Sequence, residues 1–163
     1  MSDQQPASDP NDGPRILVDA DACPVKEETY RVAARYKVPV VIVSNSPLRV
    51  PQSPLVSRVV VDNGFDAADD WIAERAGPDT VVITADILLA ERCVKSCAQV
   101  LAHNGKPFTA NSIGSAVAVR AIMADLRVGA DGITGGPPPF SKADRSAYLQ
   151  ALDRVLVKLA KSR

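Results

Sequence analysis

The sequence predicts a three-layer α/β fold, with a mainly parallel central sheet of four to five strands and helices on both faces. Three observations carry this. The runs Ile16-Leu17-Val18, Val40-Val41-Ile42-Val43 and Val81-Val82-Ile83 are apolar throughout rather than alternating, as strands covered on both faces require. Stretches of helical composition separate them, and strand–helix–strand order gives parallel pairing through right-handed crossovers. The chain has 163 residues, 46% hydrophobic and 23% charged, which suits one domain with its own core.

The elements follow in order. Residues 1–14 (MSDQQPASDPNDGP) are polar and punctuated by proline, the composition of a disordered tail, and 15–163 form the single domain. ILVDA (16–20) is the first strand. Pro24 suits the first turn of a helix that KEETYRVAARY (26–36) continues. VPVVIVS (38–44) is the second strand, closed by Asn45-Ser46-Pro47. The proline-rich stretch to Pro54 is a loop or edge piece, SRVVVD (57–62) a third strand and Asn63-Gly64 a turn. DAADDWIAERAG (66–77) is a helix stopped at Gly77-Pro78, and DTVVITAD (79–86) is the fourth strand. ILLAERCVKSCAQVLAHNG (87–105) reads as one long helix with Gly105 as its C-cap. KPFTAN (106–111) is a short fifth strand, and SIGSAVAVRAIMADLRVG (112–129) a helix capped by Asn111 or Ser112. TGGPPPF (134–140) is a connector or a loop over the site, and SKADRSAYLQALDRVLVKLAKS (141–162) is a last helix capped by Ser141 or Asp144.

Composition narrows the function classes. The net charge is zero, without the overall basic footprint of many nucleic-acid binders, and aromatics at 4% leave few platforms for stacking unpaired bases. The charges are uneven, however. Residues 62–91 hold eight acids and one base, 22–58 six bases and two acids, and 120–163 eight bases and four acids. An acidic centre between basic flanks fits a cation site beside an anionic substrate. The three cysteines follow no signal sequence, so a reducing cytoplasm is the expected compartment. Cys93 and Cys97 share a face of the expected helix. With His103 they make only three of four zinc ligands, at a spacing unlike a knuckle, so they read as buried structural residues. His103, the one histidine, reads as a surface residue near a helix end, which rules out a histidine-based triad. No apolar run approaches the ~20 residues of a membrane span.

Doubly wound sheets bind ligands beyond the carboxyl ends of their strands. Asp19 ends the first strand, Asp62 and Asp66 follow the third, and Asp86 ends the fourth. Asp66 lies three residues from Asp69 and four from Asp70, so members of this group share a helix face. Carboxylates gathered at one edge repel, and protonation, basic side chains or a metal must offset that repulsion. Their oxygens suit Mg²⁺ or Mn²⁺, and such ions support phosphodiester hydrolysis. The expected metal ligands are Asp19, Asp21, Asp66, Asp69 and Asp86, with Asp19, Asp69 and Asp86 at the centre of catalysis. Local readings compete: Asp21 or Asp66 as a helix cap, Asp62 as a turn residue, Asp70 as a solvated position. Thr84, Arg120, Lys142 and Arg145 are candidate substrate contacts. Arg120, inside the apolar SAVAVRAIMA, reads equally as half of a structural ion pair.

VDADACPVK, VVVDNGFDAADDWI, VVITADILLA, GKPFTANSI and TGGPPPFSKADR, in that order, resemble the YaiI/YqxD family of uncharacterised bacterial proteins over residues 15–158. That family is grouped with PIN-like and NYN-like nucleases. The resemblance therefore implies a Rossmannoid, PIN-like fold and a metal-dependent ribonuclease-type site, with RNA as a possible partner. Asp19 matches the acid of the first strand, Asp66 or Asp69 the mid-chain acids, and Asp86 the acid of a segment spelled TAD. Asp21 stands where NYN-type sites commonly carry Asn. Two other classes remain. Asp19-x-Asp21 has the spacing of a haloacid-dehalogenase phosphatase, with Asp19 as nucleophile and Asp21 as general acid, but Cys23 replaces the usual Thr or Val and no downstream Lys motif follows. The other is a non-catalytic protein that keeps the acids for metal binding.

Overall fold

The computed structural model describes residues 14–21, 23–61, 67–114 and 140–161. The strands are β1 (Arg15–Asp19), β2 (Val40–Ser44), β3 (Val56–Val60), β4 (Thr80–Ile83), β5 (Gln99–Leu101) and β6 (Pro107–Phe108). The helices are α1 (Lys26–Tyr36), α2 (Ala67–Arg75), α3 (Ile87–Lys95) and α4 (Lys142–Lys161), with a further helical turn over 110–114. One sheet orders the strands β3-β2-β1-β4-β5-β6. The neighbours from β3 to β5 pair in parallel, and β6 returns antiparallel to β5.

The apolar runs divide between two cores. Ile16, Val18, Ile42 and Ile83 face α1 and α4, packing with Val32, Tyr148, Leu152 and Leu156. Leu17, Val43 and Val82 face α2 and α3, packing with Ile72, Leu89 and Cys93. Adjacent strand residues point to opposite faces, so a run of consecutive apolar residues supplies both layers. Each large aliphatic side chain buried this way contributes roughly 1.5–3 kcal/mol. The edge strand β3 is only partly covered.

The sheet has six strands rather than four to five, and the difference lies in 87–105. This stretch is not one helix. α3 stops at Lys95, and Cys97 adopts φ 70°. The Cys97 N–H reaches the Val94 carbonyl at 2.9 Å and the Ala98 N–H reaches that of Cys93 at 3.1 Å. This is a Schellman ending built on a non-glycine residue. The chain then enters the sheet as β5, where Val100 and Leu101 are buried against β4. Helical composition is overridden here by tertiary context, in which Val100 and Leu101 are buried beside β4. Three further expectations change with it. Cys93 is buried, whereas Cys97 is exposed beyond the helix end, so they share no face. Gly105 is a turn residue between β5 and β6 at φ 88°, not a helix cap. His103, in that turn, is half-buried rather than a surface residue, and its Nε2 is buried without a hydrogen-bond partner among the described residues.

α4 opens on a reciprocal cap: the Asp144 N–H donates to Ser141 Oγ at 3.1 Å and the Ser141 N–H to Asp144 Oδ2 at 3.0 Å. The expected tail, Asp62, Asp66, Asn63-Gly64, Arg120 with most of its helix, and TGGPPPF up to Phe140 lie outside the described residues.

Two predictions follow from this packing. A Cβ on Gly105 would stand 2.7 Å from the Ala147 carbonyl oxygen of α4, on a backbone that L residues rarely adopt. Gly105→Ala should therefore lower the thermal midpoint, at a cost of about 1–3 kcal/mol. Burial, followed by Lys26, depresses the His103 pKa below its ordinary 6.5. The unfolded chain thus binds the proton first, and stability falls as pH drops from 6.5 through the folded value. The midpoint difference between wild type and His103→Gln should change between pH 7 and 5; a pH-independent difference would show that His103 does not titrate this way.

Candidate active site at the carboxyl edge of the sheet

From β1 the chain crosses to β2 on one side, and after β3 it returns to β4 on the other. At such a reversal, beyond the carboxyl ends of what are here β1 and β4, sheets of this kind hold ligands. Asp19 ends β1, and Thr84 and Asp86 follow β4.

Thr84 is fully buried, and its hydroxyl donates to Asp19 Oδ2 at 2.8 Å. Thr84 Oγ1 in turn accepts the Asp86 N–H at 3.0 Å. With its one proton given to Asp19, Thr84 orients a carboxylate rather than a water or a phosphate. Asp86 caps α3: its Oδ1 accepts the N–H groups of Leu88 and Leu89 at 2.9 and 3.3 Å. A residue expected as a ligand is thus also structural, and it spends one oxygen on the helix. Asp21 is exposed, and its Oδ2 accepts the Asn45 N–H at 3.3 Å, joining the β1 exit to the β2 exit.

Burial raises the Asp19 pKa, Thr84 opposes this, and the charges of Asp21 and Asp86 raise it further. Two thiols border the same region. Burial pushes the Cys93 thiol up to about 11, with Arg92 opposing and then Asp69 and Asp19 adding to the rise. Burial also raises Cys23, against the Val25 N–H and Lys26, with Asp19 and Glu28 reinforcing the rise. Asp19 and Asp69, from β1 and α2, therefore both lie within electrostatic reach of the Cys93 thiol. Asp70 turns outward to Arg92 at 2.9 Å, the solvated position expected of it.

Carboxylate oxygens suit hard cations, and the charges of Asp21 and Asp86 oppose that of Asp19. Among the described residues no group of three or more His, Cys, Asp or Glu side chains already stands at metal-holding distance. Asp66 and Arg120 are outside the described residues. Lys142 is exposed in the first turn of α4. Arg145 is engaged elsewhere: its Nη1 donates to the Pro24 carbonyl at 2.9 Å and to Glu28 Oε2 at 3.0 Å, and its guanidinium lies 5.0 Å from the Phe140 ring centre. Sequence reasoning missed Glu28. The available signal was its place four residues before Val32, on the buried stripe of α1.

A family profile described as "Uncharacterized BCR, YaiI/YqxD family" matches residues 17–158. The chain belongs to this family. A UPF0178 protein of Sphingopyxis alaskensis is 67% identical over 146 residues, covering 90% of this chain and 95% of the relative. A UPF0178 protein of Bradyrhizobium diazoefficiens is 58% identical over 149 residues, covering 91% and 89%. No solved structure matches the chain. No helix among the described residues is long and apolar enough to cross a membrane.

The electrostatics make a stability prediction. The folded state raises the Asp19 pKa, so an ionised Asp19 costs stability once pH exceeds the ordinary 3.8. Asp19→Asn keeps an acceptor for Thr84 and removes the charge. It should raise the thermal midpoint at pH 7, and the gain should shrink as pH approaches 4. A loss of stability at pH 7 would contradict the like-charge account.

Proposed function

We propose that this protein is a metal-dependent phosphodiesterase acting on RNA, with its site at the carboxyl edge around Asp19. One observation carries the reading: Asp19 stands at the carboxyl ends of β1 and β4, oriented by Thr84 and crowded by the like charges of Asp21 and Asp86. A divalent cation bound there would offset that like charge. Asp19, Asp21 and Asp86 would hold Mg²⁺ or Mn²⁺, with Asp69 and Asp66 as the further acids. Such an ion polarises a phosphodiester and neutralises charge that develops on its oxygens.

The chain's own residues do the positioning. Thr84 fixes Oδ2 of Asp19, so the carboxylate is held in one orientation. Asp86 holds the start of α3, and Asp21 is tied to the β2 exit through Asn45. The basic segments flanking the acidic centre, and the resemblance to PIN-like nucleases with their Rossmannoid fold, favour a nucleic acid over a small phosphate ester. The three free cysteines accord with a reducing cytoplasm.

The test is cleavage of end-labelled single-stranded RNA with Mn²⁺, by wild type, Asp19→Asn and Asp86→Asn. Both variants should lose activity by ~100-fold or more, at or beyond the upper end of what outer-shell changes cost. Asn remains a good N-cap at position 86, so that variant separates charge from capping. Equal cleavage by wild type and Asp19→Asn would end the reading. Activity confined to phosphate monoesters, with a fluoroberyllate adduct on Asp19, would instead mark a haloacid-dehalogenase phosphatase. Thr84→Val should also weaken Mn²⁺-dependent cleavage, and Thr84→Ser should restore most of it, because the hydroxyl alone makes the bond to Asp19.

A further inference from the structure

We propose that Arg145 is a positioning residue for the acidic edge: from α4 it clamps the loop that carries Asp21 from β1 into α1. α1 begins after Val25, which provides no side-chain cap. In its place a guanidinium from 121 residues away takes over. Arg145 Nη1 meets the Pro24 carbonyl at 2.9 Å and Glu28 Oε2 at 3.0 Å, so one nitrogen spans the last part of the loop and the first turn of the helix. The Phe140 ring, 5.0 Å from the guanidinium carbon, covers the guanidinium. Lys26 Nζ adds a second hold on the loop through the Cys23 carbonyl at 3.0 Å.

Glu28 indicates what the arrangement is for. Its side chain is 9% exposed, whereas that of Arg145 is 43% exposed. Glu28 Oε1 is buried with no hydrogen-bond partner among the described residues. A carboxylate buried with half its acceptors idle is a cost to folding, and an apolar residue would fill the space more cheaply. What Glu28 supplies is direction: it fixes the guanidinium where it must stand to hold the Pro24 carbonyl. The charge on Arg145, read from the sequence as a substrate contact, acts inward on the loop.

The experiment is amide hydrogen exchange by NMR on the full chain, comparing wild type, Arg145→Met and Arg145→Lys. In Arg145→Met the amides of Cys23 and Val25 should exchange about tenfold faster or more, the scale of one lost charge-assisted hydrogen bond, while that of Val82 in β4 holds its rate. Arg145→Lys, which keeps the charge but not the planar fork, should fall between them. Unchanged exchange at Cys23 and Val25, or the same acceleration at Val82, overturns the proposal. An activity arm rests on the nuclease reading above: Arg145→Met should lower kcat for RNA cleavage with little change in KM, whereas a rise in KM alone would make Arg145 a substrate contact and overturn positioning. If wild type cleaves no RNA, the nuclease reading falls, and the exchange rates alone decide the positioning role.

Discussion

The hydrogen bond from Thr84 to Asp19 joins two strands that are neighbours only because the sheet reverses its order between them. β1 and β4 are distant in sequence, and their pairing buries Ile16, Leu17 and Val18 beside Val81, Val82 and Ile83. That apolar pairing brings the ends of the two strands level. The polar groups just beyond, Asp19 on one strand and Thr84 on the other, then meet without further adjustment. The site is thus a by-product of register. A one-residue slip would send the apolar set of β4 to the wrong faces and move Thr84 away from its partner.

Stability and chemistry pull against each other at this edge. The core pays for itself, but the carboxylates do not: Asp19 is buried enough to resist ionisation, and Asp21 and Asp86 add to that resistance. The surroundings are arranged to limit the cost rather than remove it. Thr84 donates to Asp19, burial raises the pKa of the neighbouring Cys23 and Cys93 thiols, and Asp86 gains two backbone donors by capping α3. What is left, among the described residues, is the mutual opposition of the Asp19, Asp21 and Asp86 charges.

The opposite layer braces the same edge. α1 and α4 are tied by the buried pair of Thr29 and Tyr148 hydroxyls at 2.6 Å, and at the end of α1 by Arg35 and Tyr36 meeting Asp153 in the middle of α4. Gly105 lets the β5–β6 turn press against Ala147 of α4, closer than any side chain would allow. α4 is therefore packed against both the helix that follows β1 and the turn that follows β5. The loop carrying Asp21 takes its shape from this brace as much as from its own residues.

Much of this was legible in the sequence. The runs of Val and Ile at 16–18, 40–43 and 81–83 could be satisfied only by strands covered on both faces, so the α/β class and the edge holding Asp19 and Asp86 follow from local pattern. The bounds of α1 and the Ser141–Asp144 cap are equally local, because capping and helical period depend on residues within a few positions. The break at Cys97 is not local. Nothing nearby demands a left-handed residue there, and α3 ends because β4 has an open side that Val100 and Leu101 can cover. The roles of Thr84, Glu28 and Arg145 likewise depend on partners 65, 117 and 121 positions away. Residue type showed that these side chains could form strong hydrogen bonds; only the packing of the layers decided to whom, because a hydrogen bond is made by proximity and the chain alone does not specify which distant groups become near.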